Sequence, residues 1–286
     1  MSYTVNYTVQ KECSVKDFLR TEAHISATTV KRAKYGGIRR NGETVTTRAI
    51  LHAGDVLTLT LPEEHSGIEP MALPLSVVYE DGDILVLDKP CGMPMHPCRG
   101  NHLPTLANAV AARYGEDFIF RAVGRLDRDT SGLVVLAKHA IAGARLGECM
   151  KNGGFHKIYT AVVEGVPTPP DGRIDAPIGR VREGELARCV REDGKHAVTE
   201  YEVIGVTAEG DAIVRLKLLT GRTHQIRVHM AHIGHPLRDD FLYGTAREGK
   251  CMRLHATALS FPHPMTGQTV EFTSAPPFLT DNGSDA

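Results

Sequence analysis

Residues 124–132 are the segment that most constrains the fold of this chain. They read Gly124-Arg125-Leu126-Asp127-Arg128-Asp129-Thr130-Ser131-Gly132, a mixture of charged and turn-forming residues. The apolar run Leu133-Val134-Val135-Leu136-Ala137 follows at once and predicts a buried strand. Charged side chains at the mouth of a core strand cost folding free energy, and loops in such places often carry function. The spacing alone leaves two interpretations open: a polar loop in which Asp127 or Thr130 caps a turn, or a site where chemistry takes place.

The composition is that of a soluble globular protein. The chain has 286 residues, of which 42% are hydrophobic and 23% charged, so we expect one large domain or a large and a small one. No apolar run approaches the ~20 residues that a membrane span needs. Residues 1–12 lack the apolar centre of a signal peptide, and a cytoplasmic protein without membrane association is therefore expected.

The six cysteines are scattered and include no C-x-x-C pair. Their spacing argues against a structural zinc site and against a disulfide framework. We therefore expect free thiols in a reducing compartment. The positions are Cys13, Cys91, Cys98, Cys149, Cys189 and Cys251.

Positive charge is concentrated near the N-terminus, although the whole chain has a formal net charge of -1. Residues 11–50 contain nine basic and four acidic residues, and so carry a net charge of +5. Such a basic segment on a neutral chain is the electrostatic footprint of a nucleic-acid-binding module. Ser14 can cap a first short helix, and Asn41-Gly42 between strand-like flanks is a hairpin signal.

Two small helices followed by a short curled sheet resemble the alpha-L RNA-binding domain first described in a small-subunit ribosomal protein. The resemblance covers residues 13–62, and we take residues 1–62 as an N-terminal RNA-binding domain. The alternative is a solvated basic face on a structural appendage. Phosphate contacts would position RNA without reading its sequence. The candidate residues for these contacts are Lys31, Arg32, Lys34, Arg39 and Arg40.

Turn-forming residues after Pro62 indicate a linker over residues 63–74, followed by a second domain over residues 75–286. The hydrophobic pattern predicts helices over 105–114 and 140–150 and strands over 75–79, 84–88, 155–163, 198–206 and 212–218. Thr223 is the expected cap of a last helix that ends at Gly234. In the strand over 155–163, Tyr159 shares a face with Ala161 and Val163, so a core tyrosine is one interpretation of this residue.

Short stretches of this second part resemble the RluA family of RNA pseudouridine synthases, in the family's order. Residues 124–132 resemble the motif H-R-L-D-x-x-T-S-G but have glycine at Gly124, where the family usually has histidine. Residues 89–97 resemble the first motif, K-P-x-G ending in H-P. Residues 157–159 and 221–227 resemble the K-x-Y and G-R-x-H-Q-I-R motifs, and residues 254–264 the final L-H-A and H-P stretch. With the N-terminal segment, the resemblance spans residues 13–272.

The resemblance implies an α+β catalytic domain with a mixed, largely antiparallel central sheet. It implies that Asp127 is the nucleophile and that Arg222 pairs with this carboxylate and keeps it charged. Tyr159 would pack against the target base and accept a proton at the sugar. Arg125 would push into the RNA as the uridine is flipped out, and Leu254 would form part of the floor under the base.

Pseudouridine formation detaches uracil from C1′ of the ribose and reattaches it through C5, without redox change or net hydrolysis. No cofactor is therefore expected, and the expected partner is a loop or distorted stem of ribosomal or transfer RNA, bound by a monomer. Four histidines raise the question of a metal site, but they form no H-E-x-x-H pair and no cysteine lies nearby. These are His224, His229, His232 and His235.

Two other functions are compatible with parts of the sequence. Asp127-Arg128-Asp129-Thr130 is also similar to the nucleophile loop of haloacid-dehalogenase-like phosphatases, and Asp239 and Asp240 would then be magnesium ligands. In those enzymes the nucleophile ends an apolar strand, whereas here the apolar run follows the loop. A non-catalytic RNA-binding protein would need only the basic N-terminal segment, and would leave the other motifs unexplained.

Overall fold

The computed structural model describes residues 3–25, 27–62, 66–97, 104–115 and 118–280. These residues form a four-stranded and a ten-stranded sheet with separate hydrophobic cores, and two small two-stranded sheets. Within them, no helix has both the length and the apolar character needed to cross a membrane. Ser26, Cys98 and residues 281–286 lie outside the described residues.

The N-terminal part is a four-stranded antiparallel sheet with short helices on one side. The sheet order is β1-β6-β3-β4, and its core contains Leu57, Leu59 and Leu61, which alternate along one strand. Ser14 caps the first helix as predicted, since its hydroxyl accepts a hydrogen bond from the Asp17 backbone N–H. The elements are β1 (Tyr3–Thr8), β2 (Cys13–Ser14), α1 (Val15–Asp17) with a π-helical continuation (Phe18–Glu22), α2 (Ala27–Ala33), β3 (Ile38–Arg40), β4 (Glu43–Thr44), β5 (Ile50–Leu51) and β6 (Val56–Leu61).

The second part is built on a larger sheet with helices on both faces. Its elements are β7 (Ser76–Glu80), β8 (Ile84–Lys89), α3 (Leu106–Tyr114), β9 (Arg121–Ala122), β10 (Ser131–Ala137), α4 (Ala140–Lys151), β11 (His156–Val163), β12 (Asp171–Asp175), β13 (Ile178–Arg180), β14 (Arg188–Val190), β15 (Val198–Val206), β16 (Ala212–Leu218), α5 (Gln225–His232), β17 (Leu254–Pro262), β18 (Thr269–Thr273) and α6 (Pro277–Thr280). Residues 66–75 contain no helix or strand, and part of this segment contacts α3.

The order of the main strands is β12-β15-β16-β11-β17-β10-β8-β7. Every neighbouring pair in this order is antiparallel except β10 and β17, which run parallel. The α+β fold with a mixed, largely antiparallel sheet is therefore confirmed.

All seven residues of β10 are buried, because helices cover both faces of the sheet at this strand. Val134 and Leu136 belong to the core under α3 and α5, and Leu133 and Val135 to the core under α4. A continuous apolar run is the pattern that burial on both faces requires. The loop that contains Asp127 is thus held at one end of β10, a strand that is buried along its whole length.

The N-terminal part packs against α4 and its flanks. Ile141 of α4 belongs to the N-terminal hydrophobic core. The rings of Tyr3 and His139 stack with centroids 3.9 Å apart. Arg145 donates hydrogen bonds to the carbonyl oxygens of Ala23 and Pro264, so one side chain links both parts of the chain. These contacts attach the basic segment to the face of the sheet that carries α4.

The expectation of free thiols is wrong for two cysteines. Cys91, directly after β8, and Cys251, shortly before β17, form a disulfide, with their Cα atoms 6.3 Å apart. They are 160 positions apart in sequence, and therefore spacing motifs gave no signal for the pair. Cys13, Cys149 and Cys189 are free, as expected.

Gly132 is where the candidate loop joins the sheet, and we expect it to tolerate no side chain. Its φ is +106°, and a Cβ there would lie 2.5 Å from the backbone N and O of Ala256 in β17. Gly132→Ala should therefore lower the free energy of unfolding by about 2–4 kcal/mol, the sum of backbone strain and overpacking. The measurement is urea denaturation.

Gly267→Ala is the matched control, because Gly267 also has positive φ, +74°, but has no atom within 4 Å of the added Cβ. It should cost about 1 kcal/mol, the strain alone. Equal losses in the two variants would contradict the close approach of β10 and β17.

Candidate active site

Asp127 lies in a tight turn directly before β10. The turn is closed by a hydrogen bond from the Thr130 N–H to the Asp127 carbonyl oxygen, 3.2 Å long. The Asp127 side chain is 31% exposed, so it is reachable from solvent while its surroundings are largely protein. The next residues, Arg128 and Asp129, pair with each other through two hydrogen bonds of 2.9 Å and leave Asp127 to other partners.

The cation beside Asp127 is Arg227, and the prediction that Arg222 pairs with it is wrong. Nη1 of Arg227 lies 3.5 Å from Oδ2 of Asp127. Nε2 of His224 lies 3.9 Å from the same oxygen, and burial lowers the pKa of His224 despite the carboxylate beside it. Arg222 is exposed, and its Nε donates to the carbonyl oxygen of His196.

The position of the helix start explains this exchange of arginines. Thr223 was the expected cap, but α5 begins at Gln225 and is preceded by His224 in the left-handed conformation, with φ 57°. The side chain of Gln225 is buried and accepts hydrogen bonds from Thr220 Oγ1 and the Arg222 N–H. The turn before α5 is thereby fixed with Arg222 on the outside. Arg227, in the first turn of the helix, reaches the cleft.

Arg227 is held by a buried carboxylate and two aromatic rings. Its Nε and Nη2 donate hydrogen bonds of 2.7 Å to the two oxygens of Asp240, whose side chain is fully buried. The guanidinium carbon lies 5.4 Å from the ring centre of Phe241 and 5.0 Å from that of Tyr243. Burial disfavours its charge, but the bonds to Asp240 and the charge of Asp127 keep the pKa of Arg227 above the ordinary value.

Tyr159 and Leu254 form the apolar side of the cleft. Tyr159 is 5% exposed and shares the core face of β11 with Ala161 and Val163, as the period of two predicts. Burial, and then the charge of Asp127, raise the pKa of Tyr159 well above its ordinary value, so the phenol stays protonated. Leu254 begins β17, is 3% exposed, and is paired with Ala161.

The first motif supports the turn from below. Lys89 is completely buried, and its Nζ donates three hydrogen bonds, to the carbonyl oxygens of Pro90, Met93 and Arg128. Burial lowers the pKa of Lys89 to about 8, although Asp129 and Asp127 oppose this. One ammonium thus ties the loop after β8 to the residue next to Asp127. Its role here is structural, since it has no exposed surface.

Gly124 is the position at which the sequence departs from the RluA motif. Its φ is +82°, and an added Cβ would overlap Nζ of Lys157. The lysine therefore occupies the space of a side chain at position 124, and burial lowers the pKa of Lys157 to about 8. Arg125, the next residue, is exposed and available to RNA.

The five basic candidates of the N-terminal part lie on α2 and just beyond it. Lys31, Lys34 and Arg39 are exposed, and Arg32 and Arg40 are half-buried. Nη1 of Arg40 donates to the carbonyl oxygen of Ile50, 2.8 Å away. These cations thus all lie in the N-terminal part, on α2, directly after it or on β3.

The residues considered for metal binding engage other protein groups. Asp239 pairs with Arg247 and Arg253, and Asp240 with Arg227, so arginines hold the two carboxylates that a phosphatase would use for magnesium. Among the four histidines, His224 bonds to Tyr243, His229 to Thr199 and Ala176, and His235 to Glu164. Asp81, Asp83 and His263 form a separate cluster in which His263 bonds to Asp81.

Comparison with known proteins identifies the chain. The family model described as RNA pseudouridylate synthase matches residues 83–232. This chain belongs to that family. The RNA pseudouridine synthase YjbO of Bacillus subtilis is 40% identical over 261 residues, which cover 88% of this chain and 91% of that protein.

Two further relatives agree with this assignment. Ribosomal large subunit pseudouridine synthase D of Vibrio cholerae is 38% identical over 262 residues, covering 85% of this chain and 80% of that protein. The structure of human RNA pseudouridylate synthase domain containing 1 has a TM-score of 0.63 and 31% identity, covering 73% of this chain and 86% of that one. The resemblance to the RluA family is confirmed, and the chain is an RNA pseudouridine synthase, an isomerase. The phosphatase and non-catalytic alternatives are not supported.

Sequence reasoning singled out Asp127, Tyr159 and Leu254, and in the fold Tyr159 and Leu254 belong to the same core cluster as Leu126, the residue before Asp127. It chose Arg222 and not Arg227 as the partner of Asp127, although the G-R-x-H-Q-I-R motif contains both arginines. It also gave no sign that Asp240 holds Arg227. The available signal was the periodicity of α5: Arg227 lies between Ile226 and Val228 in a buried stretch, and a buried arginine needs a carboxylate.

Arg227→Lys and Arg222→Lys form a matched pair that separates the two arginines. A lysine at position 227 cannot bond to both oxygens of Asp240 and reach Asp127, so we expect pseudouridine formation to fall by about 100-fold. Arg222→Lys should change it by less than about threefold, because Arg222 lies outside the cleft. The measurement is tritium release from RNA labelled at C5 of uridine. If Arg222→Lys lost more activity than Arg227→Lys, Arg222 and not Arg227 would be the functional partner of Asp127.

Proposed function

We propose that this synthase converts uridine to pseudouridine in large-subunit ribosomal RNA, with Asp127 as the nucleophile. The observation that carries the assignment is the pair formed by Asp127 and Arg227, in which a partly exposed carboxylate lies 3.5 Å from a guanidinium with 3% exposure. The choice of RNA is supported by the printed names of relatives, among them the Vibrio cholerae and Pseudomonas aeruginosa enzymes named for the large ribosomal subunit.

In this proposal Asp127 forms a covalent adduct with the nucleoside while the bond between N1 of uracil and C1′ breaks. Uracil turns, C5 bonds to C1′ as the adduct breaks and Asp127 returns to a free carboxylate, N1 takes up a proton, and the proton on C5 leaves to water. Atoms and electrons therefore balance, and the reaction is an isomerisation that needs no redox partner. Arg227 keeps the carboxylate charged and oriented. Asp240 holds Arg227 in place, since a guanidinium with two bonds to a buried carboxylate has little freedom to turn away.

Tyr159 packs against the target base in the proposed complex. Its raised pKa keeps the hydroxyl protonated, so the phenol contributes its ring and a hydrogen-bond donor. This modifies the expectation that Tyr159 accepts a proton at the sugar, because a phenolate beside the charge of Asp127 is disfavoured. Leu254 lies next to the turn, where Ser131 Oγ contacts its carbonyl oxygen, and would form the floor under the base.

Extrusion of the uridine falls to Arg125 in this proposal. The side chain is exposed, two positions from Asp127, and is therefore placed to fill the gap that the flipped nucleotide leaves. Flipping costs a few kcal/mol and is cheapest in loops and distorted stems. The substrate is accordingly a loop or irregular helix of the RNA.

The N-terminal part is proposed to bind the flanking RNA. Burial, and then the charge of Arg32, lower the pKa of Arg121, which lies in β9 of the catalytic part. The charges of Arg32 and Arg121 thus interact across the two parts of the chain. A surface that carries several cations attracts the phosphates of RNA. We take the enzyme to act as a monomer in the cytoplasm, where ribosomal RNA is available.

Asp127→Asn tests the nucleophile. The amide keeps the volume but cannot form the adduct, so tritium release should be abolished while RNA affinity and the urea midpoint stay near the wild-type values. Asp171→Asn, in β12, is the control for loss of one exposed carboxylate and should be fully active. Turnover of Asp127→Asn at the wild-type rate would disprove the assignment.

The RNA class is tested in the same organism. Pseudouridines are mapped in ribosomal and transfer RNA from cells with and without the gene. Loss of a position in large-subunit RNA supports the proposal, whereas loss confined to transfer RNA contradicts it.

Salt dependence tests the basic segment. Replacing Lys31, Lys34 and Arg39 together by glutamine should reduce the slope of log K against log salt concentration by about 2–3, close to one unit per lost phosphate contact. The control replaces three cations that are already paired with carboxylates, Arg173, Arg215 and Lys217. The control slope should stay at the wild-type value, and equal slopes in both variants would contradict RNA binding by this surface.

A further inference from the structure

Phe241 is an aromatic side chain left open to solvent beside the candidate active site. It is 56% exposed, whereas the other seven phenylalanines are buried or half-buried. Burying a phenylalanine stabilises a protein by roughly 1.5–3 kcal/mol. A large apolar ring that stays in water next to a catalytic cleft indicates a surface that another molecule covers.

The backbone that carries Phe241 is rigid. The preceding Asp240 is fixed by Arg227, and its Oδ1 also accepts hydrogen bonds from the N–H groups of Leu242 and Tyr243, at 2.9 and 3.2 Å. The Gly244 N–H bonds to the Asp240 carbonyl oxygen, which closes the turn. The exposed ring is therefore presented in a set position, and ligand binding would not have to order it.

Its position relative to the chemistry is also set. The guanidinium carbon of Arg227 lies 5.4 Å from the ring centre, and that of Arg128 lies 5.6 Å from it. Arg227 contacts Asp127, and Arg128 follows Asp127 in the chain. The ring is thus one side chain away from the proposed nucleophile, at the rim of the cleft.

Support of Arg227 does not by itself explain this ring. Tyr243 already contacts the same guanidinium at 5.0 Å, and Asp240 fixes its direction. A residue whose only task was to pack against Arg227 would not need more than half of its surface in water. The exposed part of Phe241 is therefore available to a ligand.

We propose that Phe241 is a stacking platform for a nucleobase next to the target uridine. The inference depends on the function proposed above and extends it by a second subsite. When a uridine leaves the stack, the neighbouring base loses its partner, and an aromatic ring can replace it. Stacking on the ring is tolerant of base identity, and the two guanidiniums add attraction for the adjoining phosphates.

Steady-state tritium release from the large-subunit RNA transcript provides the first test. Phe241→Leu keeps an apolar side chain but removes the aromatic face, so KM should rise about tenfold while kcat stays within about threefold. Phe241→Tyr should restore the wild-type KM. Ile204→Ala is the control: Ile204 is 50% exposed on β15, and its loss should change neither constant. A fall in kcat with unchanged KM would show that Phe241 acts through Arg227, and would overturn the proposal.

Abasic RNA provides the decisive test. Short synthetic RNAs centred on the mapped uridine are made with one abasic nucleotide at each neighbouring position in turn. At the stacked position, loss of the base should raise the KM of the wild type about tenfold and leave that of Phe241→Leu unchanged, because the partner is already gone. Equal losses in both proteins at every position would overturn the proposal.

The two hypotheses fail in different ways. If the wild type releases no tritium from the transcript, the proposed RNA substrate is wrong. Equilibrium binding of the same synthetic RNAs to the wild type and Phe241→Leu still decides whether the ring stacks a base, since affinity does not require turnover. Equal affinities for the intact RNA would overturn stacking even in that case.

Discussion

A single guanidinium, shared between a buried and a partly exposed carboxylate, organises the catalytic part of this enzyme. Arg227 donates two hydrogen bonds to Asp240, and its third nitrogen, Nη1, lies beside Asp127. Without Asp240 the arginine would be a buried charge held only from the solvent side, which is costly. Without the arginine, Asp127 would lose the guanidinium beside its oxygen and keep His224, whose pKa is lowered by burial, 3.9 Å from that oxygen. The surroundings of Asp127, the proposed nucleophile, therefore depend on Arg227 of α5 and on Asp240 in the segment after it.

The elements of the fold were largely predictable because their signals are local. The apolar run that forms β10 and the alternation in β11 could be read directly from the sequence, and so could the nucleophile candidate Asp127. The arginine partner could not be chosen in the same way, since it depends on where α5 begins, and His224 in the left-handed conformation delays that start. The disulfide between Cys91 and Cys251 and the support by Asp240 join distant segments, which spacing rules do not detect.

The family motifs differ in what they do in the structure. The first motif contributes Lys89, which is buried and donates hydrogen bonds to backbone carbonyl oxygens. The loop over residues 124–132 contributes Asp127, the proposed nucleophile. The two glycines of this loop allow different neighbours to approach closely. Gly132 leaves room for the backbone of β17, and Gly124 leaves room for the side chain of Lys157. Some residues of a family motif are thus explained by close packing and not by chemistry. Roles have to be assigned residue by residue from contacts.

The parallel pairing of β10 with β17 has a consequence for synthesis on the ribosome. Ser131 and Gly132 pair with His255 and Ala256, so β10, which follows the turn that contains Asp127, gains β17 as its second neighbour beside β8 only after about nine-tenths of the polypeptide has been made. The N-terminal sheet closes within its first 61 residues and can form much earlier. A nascent chain would therefore complete the N-terminal sheet, the part proposed to bind RNA, well before the strand pairing beside the proposed nucleophile.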